Sequence, residues 1–269
     1  MHEEIRKMFD LSGKVAVVTG GARHLGYDAA CILAAAGCDV AITSRTLERA
    51  QEAAEQISRD YAVEVLPQQL DQTDYHQVAQ LASRVHEWKD SVDILINNAG
   101  GGSGKSVARL FERDPDDISG MIALNLTGVM YCCREFGRIM AEQGGGKIVN
   151  IASIAGMLGR DRRMYERAGM NGQPVDYAAA KAGVIGLTRD LAGFLSPMGV
   201  YVNAISPGGF NHGDLPEQFV RDYLDRTPLG RWGRDGIDLK GAILFLASPA
   251  SDYVTGHNLV VDGGFSIWH

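Results

Sequence analysis

The stretch KVAVVTGGARHLG, residues 14–26, joins a short apolar run to a helix-like run through a glycine-rich turn. Residues 14–20 predict a buried strand, and residues 25–37 predict a helix that ends at Gly37. In a doubly wound parallel sheet, the turn between the first strand and the first helix binds a dinucleotide pyrophosphate. Glycines let the backbone approach the phosphates, and the helix N-terminus attracts their negative charge. A single glycine-rich turn is a weak signal, so the rest of the chain must support it.

The alternation of apolar and amphipathic runs continues to the end of the chain. Further strands are predicted at 39–44, 63–70, 92–97, 145–153, 200–208 and 258–264, with helices at 46–58, 74–88, 116–143, 176–196 and 236–248. The strand runs are apolar throughout, as expected when helices cover both faces of a parallel sheet. We therefore predict an α/β fold with a Rossmann-type doubly wound sheet of about seven parallel strands, helices on both faces and a single domain over residues 1–269.

The composition narrows the class of partner. Of 269 residues, 45% are hydrophobic, which allows a large core, and the net charge of −7 disfavours nucleic acid and anionic membranes. No apolar run approaches the ~20 residues that span a bilayer, and the polar start MHEEIRKMFD is not a secretory signal. The four cysteines fit no zinc spacing, so we expect reduced thiols, no metal and a cytoplasmic protein.

One stretch suggests a different nucleotide site. NNAGGGSGKS, residues 97–106, follows an apolar run and ends in Gly-Lys-Ser, as a Walker A phosphate loop does. The strict motif has glycine where this chain has Ala99, and LVVD at 259–262 could pass for a Walker B strand. A nucleoside triphosphatase is therefore an alternative, which tight binding of ATP without binding of NADPH would favour.

An ordered set of short motifs carries a family resemblance over nearly the whole chain. Thr19, Gly20 and Gly26 fit the pattern T-G-x-x-x-G-x-G, and His24 stands at its middle glycine. The set continues with Asp71 after the third strand, NNAG at 97–100, Asn125, Ser153, Tyr177 and Lys181, and Pro207-Gly208. With this order of motifs the chain resembles the short-chain dehydrogenase/reductase family.

The resemblance implies a role for each motif. Asn125, Ser153, Tyr177 and Lys181 would form the catalytic tetrad, with Asn125 in a proton relay. Asp71 would contact adenine, NNAG would support the cofactor, and Pro207-Gly208 would lie near the nicotinamide. The implied cofactor-binding residues are Gly20, Arg23, His24, Leu25, Gly26, Ser44, Arg45, Asp71, Asn98, Ala99, Gly100, Tyr177, Lys181, Pro207 and Gly208. The conformation of residue 24 is left open, because histidine replaces glycine there.

The end of the second strand distinguishes the two nicotinamide cofactors. An acidic residue there would bind the ribose hydroxyls of NAD and repel a 2′-phosphate. This chain has Ser44 and Arg45 instead, and Arg23 in the glycine-rich turn could approach from the other side. The alternative is that both arginines are solvated surface groups. We predict NADP(H) in preference to NAD(H).

The spacing of Tyr177 and Lys181 suits acid–base chemistry. Residues four apart share one face of a helix, and reducing a ketone requires an acid beside its oxygen. Lowering a tyrosine pKa from ~10 to ~7 requires ~4 kcal/mol, which a nearby ammonium and the charge on the nicotinamide could largely supply. Ser153 after the fifth strand could donate to the substrate oxygen. Taken singly, each of these residues could equally be structural.

Two segments depart from the family pattern. Residues 159–175 form an insertion between Ser153 and Tyr177 with four arginines, Arg160, Arg162, Arg163 and Arg167. The insertion is either a solvated loop or interface element, or a place where arginines meet an anionic substrate. Residues 209–226 resemble the family's substrate lid, and His212 stands where the family often has a threonine that touches the nicotinamide carboxamide.

Together these observations predict an NADP(H)-dependent oxidoreductase that moves hydride between the cofactor and a secondary alcohol or ketone. The favoured substrate is a sugar acid or polyol. A 3-oxoacyl-thioester reductase is the alternative within the family, and a non-catalytic dinucleotide sensor is the alternative from another class. The resemblance also implies a homotetramer, and the apolar ending at 256–269 would suit a subunit contact.

Overall fold

A computed structural model of the chain describes residues 2–101, 108–210, 213 and 215–268. Its seven strands are β1 Val15–Val18, β2 Asp39–Ser44, β3 Val65–Gln69, β4 Ile94–Asn97, β5 Gly146–Ile151, β6 Val200–Pro207 and β7 Asn258–Val261. They form one sheet in the order β3-β2-β1-β4-β5-β6-β7, and every neighbouring pair is parallel. The order reverses between β1 and β4, which is the switch point where such sheets bind ligands at the carboxyl ends of their strands.

Helices connect these strands along the chain. They are α1 Glu3–Phe9, α2 His24–Ala35, α3 Leu47–Tyr61, α4 Tyr75–Lys89, α5 Pro115–Ile122, α6 Gly128–Glu142, α7 Arg163–Arg167, α8 Val175–Leu195, α9 Glu217–Asp225 and α10 Lys240–Ala247. Local sequence explains several of their starts. The Asp74 carboxylate accepts from the backbone of α4, and Asp114 caps α5 just before Pro115.

Two hydrophobic layers cover the sheet. On one face, alternate strand residues such as Val17, Leu95 and Ile148 pack with α4, α6 and α8. On the other face, residues such as Val18 and Ile96 pack with α2, α3 and α10. Because the central strands are buried on both faces, their sequences are apolar without alternation. The predicted α/β fold and doubly wound sheet are confirmed.

The predicted helix at 116–143 differs in its middle. The chain is helical from Pro115 to Glu142, but a π-helical turn over Ala123–Thr127 separates α5 from α6. A π turn inserts one residue and leaves the flanking helical pattern almost intact, so the apolar period does not reveal it. The turn contains Asn125, one of the predicted site residues.

The insertion and the lid contain helices that pack together. Within the insertion α7 is a single short helix, and α9 occupies the second half of the predicted lid. Met164 of α7 is buried against Phe219 and Tyr223 of α9, which makes a third, smaller hydrophobic cluster beside the carboxyl edge of the sheet. His212 and residues 102–107, which include the Gly-Lys-Ser sequence, lie outside the described residues.

Candidate active site

The glycine-rich turn leaves β1 and enters α2 in the conformation that dinucleotide sites use. Gly20 has φ +64° and His24 has φ +50°, so His24 adopts the left-handed conformation normally given to glycine. A Cβ at Gly26 would lie 2.2 Å from the carbonyl oxygen of Gly20, so only glycine fits there. The histidine thus preserves the turn.

The loop after β4 is tied directly to this turn. The Thr19 hydroxyl accepts from the backbone N–H groups of Asn98 (3.1 Å) and Ala99 (3.0 Å). The Asn98 amide donates to the carbonyl oxygens of Thr19 (3.0 Å) and Gly20 (3.2 Å). These bonds join the two loops at the switch point of the sheet, so NNAG supports the glycine-rich turn.

The end of β2 carries no acidic side chain. Ser44 ends the strand, and Arg45 follows it with an exposed side chain. Arg23 is also exposed and lines the same cleft. Asp71 lies on the same side beyond β3, where its carboxylate accepts from the Thr73 hydroxyl at 2.7 Å. This edge therefore presents two exposed arginines next to a strand end without an acidic side chain.

Three of the predicted catalytic residues meet beyond β5. Tyr177 and Lys181 lie on α8, and Ser153 begins the short turn after β5, where its hydroxyl accepts from the Ala155 N–H at 3.1 Å. The Lys181 ammonium donates to the Ile151 carbonyl at 2.7 Å and lies 5.8 Å from the centre of the Tyr177 ring. The hydroxyls of Ser153 and Tyr177 and the ammonium of Lys181 therefore share one site.

Asn125 is fully buried behind this group. Its side-chain oxygen accepts from the Gly101 N–H at 2.7 Å, and its amide donates to the Met121 carbonyl at 3.1 Å. A Cβ at Gly100 would lie 2.7 Å from the Asn125 oxygen and 3.6 Å from the Lys181 ammonium, so both side chains approach the same glycine. Asn125 thus stabilises the π turn and lies beside Lys181.

Burial shifts the pKa values of Tyr177 and Lys181 in opposite directions. Burial raises the pKa of the Tyr177 phenol, while a hydrogen bond with Ser153 and the charge of Arg160 act in the opposite direction. Burial lowers the pKa of Lys181 to about 8. The lowering of the Tyr177 pKa by Lys181 therefore stays a prediction, which depends on the positive charge that the oxidised nicotinamide would add.

The end of β6 and the lid helix α9 form another side of the site. The Gly208 N–H donates to the Val261 carbonyl at 2.9 Å, and a Cβ at Gly208 would lie 2.7 Å from Asp262. The next N–H, of Gly209, donates to the hydroxyl of Tyr223 in α9 at 2.6 Å. This bond ties the lid helix to the Pro207-Gly208 turn.

Two of the four arginines in the insertion have acidic partners. Arg163 binds Asp161 at 2.8 Å, and Arg167 binds Asp222 of α9 at 2.8 Å. Asp161 also pairs with Arg226, which follows α9. These ion pairs hold the insertion against the lid. Arg160 instead turns toward Tyr177, and its guanidinium carbon lies 5.7 Å from the centre of that ring.

One cleft, with a volume of about 2390 Å³, runs along this edge. All the predicted cofactor-binding residues line it, as do Ser153 and Arg160, and only Asn125 of the predicted set lies behind its wall. The sequence analysis missed the aromatic wall of the cleft, formed by Phe219, Tyr223, Trp232 and Phe265. The spacing of Phe219 and Tyr223, four residues apart on a polar helix, was the available signal.

Within the described residues, no group of three or more His, Cys, Asp or Glu side chains could hold a metal ion. A search of the same part of the chain finds no helix long and apolar enough to cross a membrane.

The fold and the site together define an oxidoreductase that acts on alcohols or ketones. The sequence model of a family described as enoyl-(acyl carrier protein) reductase matches residues 20–266. The chain belongs to the short-chain dehydrogenase/reductase family, whose members use a nicotinamide cofactor. The residues of the site fit such a cofactor, because the glycine-rich turn lets the backbone approach a ligand at the switch point and the cleft beside it is large enough to hold a dinucleotide.

Individual relatives act on different substrates. The chain is 35% identical to 3-oxoacyl-(acyl-carrier-protein) reductase of Aquifex aeolicus, over 94% of this chain and 98% of the relative. It is 36% identical to 2-dehydro-3-deoxy-D-gluconate 5-dehydrogenase of Escherichia coli, over 97% and 98%. The crystal structure of NADPH-dependent 3-quinuclidinone reductase from Rhodotorula rubra superposes with a TM-score of 0.89 at 30% identity, covering 100% of this chain and 97% of the other.

Proposed function

We propose that the protein is an NADP(H)-dependent oxidoreductase that interconverts a secondary alcohol and a ketone on a sugar acid or polyol. One observation carries the proposal. Ser153, Tyr177 and Lys181 border the same cleft as the Pro207-Gly208 turn, and that cleft continues to Ser44 and Arg45. An acid–base group thus lies between a substrate space and the place for a phosphorylated dinucleotide.

In this proposal the bound cofactor supplies or accepts the hydride. The Tyr177 hydroxyl donates its proton to the ketone oxygen during reduction and recovers it during oxidation. The Ser153 hydroxyl donates a hydrogen bond to the same oxygen and stabilises the charge that develops there. Lys181, held by the Ile151 carbonyl at 2.7 Å, favours the ionised tyrosine, and Asn125 beside it belongs to the proton relay.

The preference for NADP(H) is supported by charge at the end of β2. Ser44 removes the repulsion that a carboxylate would exert on a 2′-phosphate, and the exposed Arg45 and Arg23 can pair with that phosphate. The structural relative described as NADPH-dependent supports the same preference.

The choice of a sugar acid or polyol is supported by the relative that acts on a deoxygluconate. A 3-oxoacyl-thioester reductase is the second candidate, and the relative from Aquifex aeolicus favours it. Arg160 of the insertion brings positive charge to the cleft beside Tyr177, which makes the sugar acid the first choice.

We also propose that the chain works in the cytoplasm as a homotetramer, without a nucleic-acid or membrane partner. The cytoplasmic location is supported by the four cysteines, all free and buried. The tetramer is supported by the family resemblance and by apolar side chains left exposed on the single chain, such as Phe111 and Phe194.

An NADPH-linked rate panel tests the proposal. It compares keto-sugar acids, ketoses and a 3-oxoacyl thioester, with Tyr177→Phe as the control that should bind NADPH and lose nearly all turnover. Turnover on the thioester alone would move the protein to the second candidate. Binding of NADPH without turnover on any substrate would favour the sensor, and tight binding of ATP without NADPH would favour the triphosphatase.

The cofactor preference needs its own pair of variants. Arg45→Asp should lower the preference for NADPH over NADH about 10-fold to 100-fold, because a charge-assisted contact becomes a repulsion. Arg59→Asp makes the same charge change on the exposed side of α3 and serves as the matched control. Equal use of both cofactors by the unmodified protein, or an unchanged preference in Arg45→Asp, contradicts the assignment.

A further inference from the structure

Arg160 is held along one edge only. Its Nη1 donates to the backbone carbonyls of Gln173 and Pro174, each at 3.3 Å. Its Nη2 is buried and has no hydrogen-bond partner among the residues that the structure describes. The backbone of the insertion therefore fixes the guanidinium and leaves one buried donor nitrogen unsatisfied. A buried donor without a partner is rare in folded proteins and calls for a physical reason.

The other arginines of the insertion differ from Arg160 in both exposure and pairing. Arg162, Arg163 and Arg167 are exposed, and the latter two bind Asp161 and Asp222. Arg160 is half-buried and forms no ion pair with any residue that the structure describes. It is thus the arginine of this segment whose charge is withdrawn from water without a counter-ion.

Burying the positive charge of Arg160 is energetically unfavourable unless an anion pairs with it. Burial destabilises the charged form of Arg160 and lowers its pKa. The neighbouring groups that favour its charge are the Tyr165 and Tyr177 phenols, and neither is a carboxylate. Buried charges are normally paired. An anion bound in the cleft beside the guanidinium would provide the missing counter-ion.

Arg160 lies on the side of the cleft that holds the proposed acid–base group. Arg160 lines the cleft together with Ser153 and Tyr177. Trp232, on the aromatic wall of the same cleft, has a second buried donor, Nε1, that has no partner within the described part of the chain. A guanidinium beside the acid–base group, without an acidic partner among the described residues, favours an anionic ligand, and its planar shape suits a carboxylate.

We propose that Arg160 binds a carboxylate of the substrate beside Tyr177, which makes the enzyme selective for hydroxy and keto acids whose carboxylate lies close to the reacting carbon. This inference rests on the proposed function and names the anionic group within it. A neutral ketose lacks the charge. A 3-oxoacyl thioester attached to a carrier protein has no carboxylate near its ketone, so neither ligand would satisfy Arg160.

The test compares a keto-sugar acid with the ketose of equal chain length that lacks the carboxylate. In Arg160→Met, the ratio of kcat/KM for the acid to kcat/KM for the ketose should fall about 10-fold to 100-fold, as expected when a charge-assisted hydrogen bond is lost. Arg160→Lys should recover part of this ratio, because lysine keeps the positive charge but lacks the paired donors of the planar guanidinium. Arg162→Met is the matched control, since Arg162 also donates to the Gln173 carbonyl but is exposed.

A binding measurement separates this inference from the proposed function. Calorimetry of gluconate with the NADP⁺-loaded Tyr177→Phe variant should show binding that is lost when Arg160→Met is added, with circular dichroism confirming that both proteins are folded. An acid-to-ketose ratio within twofold of the unmodified enzyme, or equal losses on both substrates, overturns the role of Arg160 while leaving the proposed function standing. If no ketone is turned over by the unmodified enzyme, the proposed function fails, and gluconate binding that depends on Arg160 still supports the anion site. If gluconate does not bind to the NADP⁺-loaded Tyr177→Phe variant, the anion site at Arg160 is overturned.

Discussion

His24 adopts a left-handed backbone conformation, with φ +50°, at the turn that enters α2. A left-handed residue other than glycine costs about 1–2 kcal/mol, and histidine is among the residues that tolerate the conformation better than most. Its side chain lines the cleft where the cofactor pyrophosphate is expected. The turn thus retains its shape although its middle glycine is missing.

Substitutions at residue 24 should separate backbone shape from side-chain chemistry. His24→Val should lower the free energy of unfolding by about 1–2 kcal/mol and weaken NADPH binding, because a β-branched side chain is strongly disfavoured in this conformation. His24→Gly should keep both, since glycine adopts the conformation freely. Urea unfolding and fluorescence titration with NADPH measure the two effects. Equal stability of the valine and glycine variants would contradict the role of the backbone.

Lys181 should make stability depend on pH in a specific direction. Burial lowers its pKa to about 8, so between about pH 8 and about pH 10.5 the folded protein has lost a proton that the unfolded chain still holds. The destabilisation is therefore complete below pH 8 and disappears as the pH rises through 10.5. From pH 7.5 to pH 10, the unmodified protein should gain about 2 kcal/mol relative to Lys181→Met.

Urea unfolding of both proteins without cofactor measures this difference, and subtracting the variant cancels the other titrating groups. A constant difference across the range would show that Lys181 keeps its proton in the fold. In that case Lys181 would be positively charged over the whole pH range, and its charge would favour the ionised form of Tyr177 together with the charge of the bound cofactor.

At the scale of elements, the insertion and the lid form one unit. Arg167 of α7 binds Asp222 of α9, and the Tyr165 and Phe219 rings lie 4.9 Å apart. Tyr223 stacks on Trp232 at 4.0 Å and bonds to the Gly209 N–H. A movement of α9 would therefore carry α7, and with it the segment that holds Arg160.

Removing the centre of this cluster should loosen both helices together. Met164 is 3% exposed, and Met164→Ala should cost about 2–4 kcal/mol of local stability because it leaves a cavity. Hydrogen exchange should accelerate in residues 163–168 and 217–225 while the strands of the sheet stay protected. Met130→Ala, at an exposed position of α6, is the matched control. Faster exchange in 163–168 alone would show that the two helices are not coupled.

At the scale of the whole molecule, large apolar side chains remain exposed on the single chain. Phe111 is 99% exposed, Phe194 is 67% exposed and Trp268 is 58% exposed. Aromatic side chains of this size are usually covered in an assembly. Trp268 belongs to the C-terminal segment for which a subunit contact is predicted, whereas Phe194 lies on α8. Two separate apolar surfaces favour more than one subunit interface.

Light scattering should therefore give a mass four times that of one chain. Trp268→Asp should reduce the mass, because a charge in an apolar contact is left without a partner. Thr73→Asp introduces the same charge at an exposed position outside these apolar residues and should leave the assembly unchanged. A single-chain mass for the unmodified protein would contradict the tetramer.

Much of the fold could be predicted because its signals are local. The apolar strands, the glycines of the first turn and the carboxylate at the start of α4 act through neighbours along the chain. Asn125 is different. Its π turn shifts the helix by one residue without changing the apolar period, and its bond to Gly101 depends on how α6 and the β4 loop pack.

By itself, the sequence determined the doubly wound sheet and the edge at which its strands end, because strand and helix periods are properties of short segments. The catalytic roles of Ser153, Tyr177 and Lys181 come from the family resemblance and stay a prediction. Only the tertiary structure decided which arginine of the insertion is drawn out of water without an acidic partner among the described residues. Arg167 finds Asp222 across 55 positions of sequence, whereas Arg160 is turned to the cleft by the carbonyls of Gln173 and Pro174. The neutralisation of a charge depends on distance in space, which spacing along the chain does not encode.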